Sequence, residues 1–490
     1  MKIQLKQVAI IITVLLTILL LFACGNSDEP SNADHEMPAD EEAASEDELH
    51  PREPLTTEAL LADFDTMIEL MEETFPYFGV AERRLGVDIR ALAEEKRSVI
   101  ENYPESMESF AKELGMSPEE MPVMDEHLFW SILHHDFFSR FPMTFHTFVY
   151  NYRFYDIYKP SYTNTWSPFN TPMNYHAFTN SVTQGFYREQ EALYKTLAEE
   201  ASPGFKLIFR EEESAGFPHA AVETEMIEEG RIAYLSVPHF ADFGQSTINR
   251  LRGLYRDIGE YEHLIIDIRE NMGGATDLWR MLIMKPLWPE EEPMPDMPLY
   301  AFYRGSELGK SLGEANVKIE SAYSRYRPES EGLVPISEIL EENPLPELNE
   351  EDMETLDYGV RYHTGIENIE WRHINQMGLQ NISDSAFEGE IWLLIGNRNY
   401  SAAALFARHA KEMGFATLVG EPTAGAYTTH VSNFTLPNTG IILRWDMDYV
   451  TDEAGRALNE FPTTPHYKNR PGMDALETVL EIIEEEGNTR

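Results

Sequence analysis

The stretch "IWLLIGNRNYSAAALFARHAKEMGFATLVGEPTAG", residues 391–425, decides how this chain is read. IWLLIG is an almost unbroken apolar run and reads as a buried strand. A short polar turn leads to Ser401, a helix opens at Ala402, and ATLVG forms a second short apolar run. A strand, a helix and another strand make a crossover unit, which implies a largely parallel sheet. Ser401 stands where the helix begins, and two readings of it compete. Serine is a favoured helix cap. The unpaired N–H groups of a helix start also lie near its hydroxyl, so a nucleophile there would find its developing anion stabilised.

The same alternation begins upstream. RIAYLSVPHF from Arg231 reads as a strand, TINRLRGLYRDIG as a helix and HLIIDIRE as a buried strand ending at Glu270. The turn Asn271-Met272-Gly273-Gly274-Ala275 then opens another helix. Residues 286–385 are rich in Pro and Glu and read as an inserted subdomain; the alternation resumes at 386 and runs to about 485. FTLPNTGIILRWDMDYV reads as a hairpin turning at Asn438 to Gly440, and GMDALETVLEIIEEE as a closing amphipathic helix. Residues 55–150 carry apolar residues at helical spacing and form a helical N-terminal domain. From about 144 the pattern weakens: "TFHTFVYNYRFY" (144–155) reads as a strand, "EQEALYKTLAEEA" (189–201) as a helix, and 151–225 as a whole as a connecting region.

The N-terminus has a different character. Lys2 and Lys6 precede an apolar run from Val8 to Phe22, the pattern of a secretory signal over 1–23. Leu21-Phe22-Ala23-Cys24-Gly25 resembles a bacterial lipobox, which implies acylation of Cys24 and a lipid-anchored protein on the extracytoplasmic face of the membrane. Residues 24–54, acidic and nearly free of large apolar side chains, read as a disordered tether. Cys24 is the only cysteine, so neither an intrachain disulfide nor a zinc–cysteine site is expected. With 38 Lys and Arg against 85 Asp and Glu, the net charge of −47 argues against nucleic-acid partners.

At the carboxyl ends of parallel strands, loops form a ligand crevice. The Gly273-Gly274 turn and the Ser401 turn are both such loops. Ser401 as nucleophile, with the N–H groups of Gly274 or Gly273 and of Ala402 as an oxyanion hole, is a coherent arrangement. Here "LIIDIRENMGGATDLW" and "YSAAALFARHAKEMGFATLVGEPTAG" together resemble the tail-specific (C-terminal processing) serine peptidases and the related tricorn core. Asp267, Arg269, Asn271, Gly273 and Gly274 fill the first motif; Ser401, Ala402, Gly420, Glu421, Thr423 and Gly425 fill most of the second. The resemblance implies an α/β fold, a crotonase/ClpP-like spiral core over 226–285 and 386–485 with a helical N-terminal domain. It implies peptide-bond hydrolysis on peptide or protein substrates, with no cofactor and no metal.

Two positions depart from that pattern. Ala404 stands where the family usually has glutamate, and Ala426 where the processing peptidases carry their general-base lysine. Lys411 and His409 lie roughly 15 and 12 Å along the helix from Ser401 at 1.5 Å per residue, too far to serve. The tricorn-like branch takes a histidine from an earlier segment, which makes His146 the candidate base; an ordinary imidazole titrates near pH 6.5. Glu460 resembles the family's late acid and is the candidate to orient it. Gly273, Asn271 and His239 are candidate substrate-binding residues. His466 occupies a spot where relatives often have aspartate and receives no role. Adjacent His134 and His135 with Asp136 are expected to diverge on a helix surface rather than hold a metal.

Two other functions compete. One is a catalytically inactive lipoprotein that binds peptides or envelope partners in the same cleft, suggested by the missing lysine. The other is a crotonase-like acyl-thioester enzyme, disfavoured because coenzyme A is not an extracellular substrate. No carboxylate-binding Gly-Leu-Gly-like loop is found between 150 and 230, so recognition of substrate tails is not assumed.

Overall fold

The computed structural model describes residues 54–107, 123–165, 167, 170–200, 221–241, 244–289, 292–323, 327–365, 387–429 and 431–487. The signal segment, Cys24 and the tether lie outside the described residues. Among the described residues no helix is long and apolar enough to cross a membrane.

The N-terminal region is helical for local reasons. Thr56 caps α1 (Thr57–Thr74), which buries Leu60, Phe64, Met67 and Met71 along one face. Asp88 caps α2 (Ile89–Glu101), and Asp125 caps a helix beginning at Glu126. That helix continues as a wider, π-type turn over Ile132–Phe137. The widening brings the rings of His134 and His135 into edge contact at 4.5 Å, where a regular helix would part them. These two side chains are half-buried, not displayed on the surface. Burial pushes both imidazoles down, His134 to about 3 and His135 to about 4.

The strand expected over 144–155 shrinks to β1 (Phe148–Val149). The Asn151 side chain accepts the N–H of Phe154 and starts α3 (Tyr152–Thr163), so the rest of that stretch is helix. With α4 (Pro172–Thr179) and α5 (Ser181–Glu200), residues 151–200 belong to the helical body rather than to a connection. Tyr155 stacks on both Tyr187 and Phe178 inside the same core as α1.

The strands that follow are β2 (Glu223–Glu228), β3 (Ile232–Ser236), β4 (His263–Asp267), β5 (Leu299–Arg304), β6 (Arg327–Pro328), β7 (Val334–Pro335) and β8 (Leu356–His363). Then come β9 (Glu390–Ile395), β10 (Thr417–Gly420), β11 (Val431–Thr435), β12 (Ile442–Asp446), β13 (Asp448–Thr451) and β14 (Tyr467–Lys468). Among the described residues six of them form the central sheet, in the order β14-β10-β9-β4-β3-β2. Every pair in it is parallel except β2 with β3.

Both faces of this sheet are covered, which explains the continuous apolar runs. Leu264, Ile266, Leu393 and Ile395 pack with α6 (Gln245–Asp257) and with α8, the helix Ala402–Glu412. The alternate residues Ile265, Trp392, Leu394 and Val419 pack on Val479, Ile482 and Ile483 of α9 (Ala475–Gly487). The parallel sheet and its covering helices, with the helical N-terminal region, make an α/β fold.

The described part of 286–385, including α7 (Glu307–Tyr323), is not a separate body. β5 pairs antiparallel with β13 and with β8, so the excursion shares a sheet with the strand that follows the hairpin. The hairpin β11–β12 in turn is clamped to the N-terminal helices. Its tip donates the N–H groups of Asn438 and Thr439 to buried Asp63 of α1. Trp445 stacks on Phe434 at 4.3 Å and donates its indole N–H to Thr74. One apolar core thus joins α1 to β12 and β13.

Candidate active site

Ser401 does not cap α8. Its backbone sits at φ 55°, ψ −124°, and its side chain accepts no bond from the helix start. A cap has extended backbone angles and a side chain folded onto the N–H groups of the first turn. A non-glycine residue at positive φ costs of order 1–3 kcal/mol, and such strain persists only where its surroundings enforce it.

The enforcing contacts are on three sides. The Ser401 N–H donates to the Gly425 carbonyl at 3.0 Å, and the Tyr400 hydroxyl donates to the Phe145 carbonyl at 3.0 Å. Buried Asn399 reaches from this turn to the carbonyls of Ile268 and Asn271, tying the Ser401 loop to the double-glycine loop. Arg84, from the N-terminal helices, donates to the carbonyls of Ala424 and Asn459 and so fixes Gly425 from the far side.

The double-glycine loop meets the serine directly. A Cβ on Gly273 would stand 2.9 Å from Ser401 Cβ and 3.1 Å from Ala402 N, with φ at +104°. Only glycine allows that approach. The Gly273 N–H is spent on Asn271 Oδ1 at 2.8 Å. Gly274 differs. Its neighbours on either side pair with Phe240, through Gly273 O and Ala275 N, which turns the Gly274 N–H to the opposite side. Neither that N–H nor the N–H of Ala402 has an acceptor among the described residues.

His146 reaches the same place from another sheet. β1 pairs with β12 with Phe148 opposite Arg444, and continuing the register by two residues sets His146 opposite Asp446. The fully buried Asp446 carboxylate accepts the His146 backbone N–H at 3.0 Å and faces Nδ1 at 2.8 Å. A carboxylate accepts only, so in the neutral imidazole the proton belongs on Nδ1 and the lone pair on Nε2. Nε2 has no partner among the described residues, and the His146 ring lies 4.7 Å from the Tyr400 ring, next to Ser401. A serine hydroxyl, an imidazole and a buried carboxylate thus gather around the Ser401 turn, the set of groups that general-base catalysis uses.

Several expected residues take other places. Glu460 does not orient His146: Arg83 holds its carboxylate with two bonds of 2.8 Å, and Arg83 also pairs with Asp352. Asn271 is fully buried, with Nδ2 on the Val237 carbonyl and Oδ1 on Gly273, so it shapes the loop instead of meeting substrate. His239 is buried beside Phe240. Ala404 and Ala426 are fully buried, Ala426 with φ at +60°. Lys411 donates to Thr464 at the far end of α8, and burial holds His409 neutral. Asp267 and Arg269 pair with each other, with Asp474 on the Arg269 side, and border a cavity of about 340 Å³ with Ser236, Pro238 and Glu270.

The sequence reading missed Asp446, Tyr400 and Asn399. Asp446 left a trace: it is an acid in a hairpin strand whose other residues, Arg444 apart, are apolar, and burial there demands a partner.

Residues 231–469 match the model of Peptidase family S41. No curated protein matches the chain. Among solved structures, a candidate peptidase from Parabacteroides merdae is 14% identical, with 88% of this chain and 98% of that chain covered and a TM-score of 0.45. A lipoprotein from Streptococcus agalactiae is 12% identical over 87% and 96%, with a TM-score of 0.40. A serine-to-alanine mutant of CPAF is 15% identical over 84% and 93%, with a TM-score of 0.44. At TM-scores below 0.5 these likenesses add nothing to the family match. The match itself, over residues 231–469, shows that this part of the chain is similar to peptidase family S41 and supports a serine peptidase.

Proposed function

We propose that the protein hydrolyses peptide bonds with Ser401 as nucleophile and His146 as general base. Asp446 fixes the imidazole tautomer, and the N–H groups of Gly274 and Ala402 receive the oxyanion. His146 Nε2 takes the Ser401 proton as the hydroxyl attacks the carbonyl carbon. The tetrahedral oxyanion rests on the two free N–H groups, and the imidazolium then protonates the leaving amine. Ala426 leaves no lysine in the turn where the processing peptidases keep theirs, and His146 supplies the function from the N-terminal region.

The observation that carries this reading is the backbone of Ser401, held at positive φ with its side chain withheld from capping. The test is labelling by a fluorophosphonate probe, which reacts only with an activated serine. Wild type labels, while Ser401→Ala and His146→Ala do not, although both keep the wild-type melting profile. Unlabelled wild type between about pH 5 and 10, a span that covers histidine and lysine bases, would leave the peptide-binding lipoprotein as the better reading. We further propose that Cys24 is lipidated after signal cleavage and tethers the chain to the extracytoplasmic face of the membrane. The motif Leu21 to Gly25 and the acidic tether support this.

A further inference from the structure

Arg444 lies on β12 two residues before Asp446, so both side chains project from the same face of the hairpin. Its guanidinium lies over the Phe148 ring at 5.2 Å and the Tyr158 ring at 5.4 Å. The phenols of Tyr150, Tyr162 and Tyr400 are its other electrostatic neighbours. Tyr400 directly precedes the nucleophile, and its ring also touches His146.

This cation is oddly placed. In a chain with 85 acidic residues, no carboxylate pairs with Arg444 among the described residues. Its Nε and Nη1 are buried and make no hydrogen bond of ordinary geometry, although the residue as a whole is only half-buried. Other inward-facing arginines near the site are satisfied: Arg83 by Asp352 and Glu460, and Arg84 by two carbonyls. A desolvated guanidinium without an anion is costly, and the flat fork it presents matches a carboxylate. Aromatic faces hold the guanidinium plane in place and cannot neutralise its charge.

Building on the peptidase reading, we infer that Arg444 is a specificity residue that binds a carboxylate of the substrate within about two residues of the scissile bond, the span of its separation from Asp446 along the strand. That carboxylate is either the free chain terminus or an Asp or Glu side chain.

Matched quenched-fluorescent peptides distinguish the two sources. One arm compares a free C-terminal acid with its amide; the other compares Glu with Gln at each position flanking the cleaved bond. In wild type, one arm gives a kcat/KM ratio of about 10 to 100 in favour of the carboxylate, the usual yield of a charge-assisted pair. In Arg444→Met, which keeps the aliphatic stem, that ratio falls toward one; Arg444→Lys keeps part of it. Wild-type ratios within about twofold in both arms, or an undiminished ratio in a folded Arg444→Met, overturn the inference. The wild-type ratios decide the question even if the variants fail to fold. If wild type hydrolyses nothing, anisotropy of the same peptides on the unmodified protein replaces the ratio. Arg444-dependent binding of acid over amide then upholds the subsite while the peptidase reading falls. Hydrolysis without preference does the reverse.

Discussion

Replacing Asp446 by Asn tests the assignment of the acid more sharply than any deletion, because the change is nearly isosteric. Asp446 accepts from two His146 donors at once, the backbone N–H on Oδ2 and Nδ1 on Oδ1. Asparagine offers one acceptor and one donor in their place. With its oxygen on the backbone N–H, its NH2 faces Nδ1 and drives the proton to Nε2. The imidazole then cannot take a proton from Ser401. Loss of a general base costs about 10²–10⁴ in rate, or about 3–5 kcal/mol of barrier. The alternative orientation strands the backbone N–H, at about 1–3 kcal/mol of stability. Steady-state hydrolysis and fluorophosphonate labelling, read beside a thermal melt, separate these costs. Asp446→Asn is expected to lose at least about a hundredfold in kcat with KM nearly unchanged. Glu460→Gln, whose partner is Arg83, should stay within about threefold of wild type. If Asp446→Asn turns over at the wild-type rate while Glu460→Gln does not, the triad named here is wrong.

Three further expectations follow from single features. Gly273→Ala sets a Cβ 2.7 Å from the Tyr400 carbonyl at a φ of +104°, so it should abolish labelling and lower the melting temperature; normal labelling would mean that the two loops do not touch. Asp448 is pushed up to about 7 by burial, so the fold favours its protonated form. Its stabilising effect is complete below the unfolded carboxylate pKa near 3.9 and is lost as pH rises through about 7, at a cost of order 4 kcal/mol. The melting temperature of wild type relative to Asp448→Asn should therefore drop between about pH 4 and 8, and a flat difference would contradict it. Finally, Cys24→Ser should release the protein or leave its precursor uncleaved. Normal processing with retention on the membrane would remove the lipid anchor from the proposal.

What was legible in the sequence was whatever depends on local pattern. The buried parallel strands, the double-glycine turn and the serine at a helix start all rest on periodicity or on spacings within a few residues. Whether Ser401 caps its helix was beyond pattern, because a backbone angle decides it, and contacts from Gly425, Asn399 and Arg84 set that angle. Asp446 was missed and Glu460 preferred for one reason. Pairing an acid with a histidine across strands needs a register, and the register of β1 on β12 links residues about 300 positions apart. The strand over 144–155 was overextended because its aromatics suit strand and helix alike. Asn151, a capping side chain, ends the ambiguity.

The division of the proposed catalytic parts between two distant stretches of chain carries a consequence for the protein's early life. Phe145 and Tyr400, bonded to each other in the finished site, are 255 positions apart. A ribosome or translocon delivers the histidine long before the serine, and loop closure over that distance is among the slower steps of folding. The matched span 231–469 contains Ser401 and Asp446 but not His146. On the proposed mechanism, a nascent or truncated chain lacking either stretch carries an incomplete set of catalytic groups, and the site is assembled only with the last long-range contact.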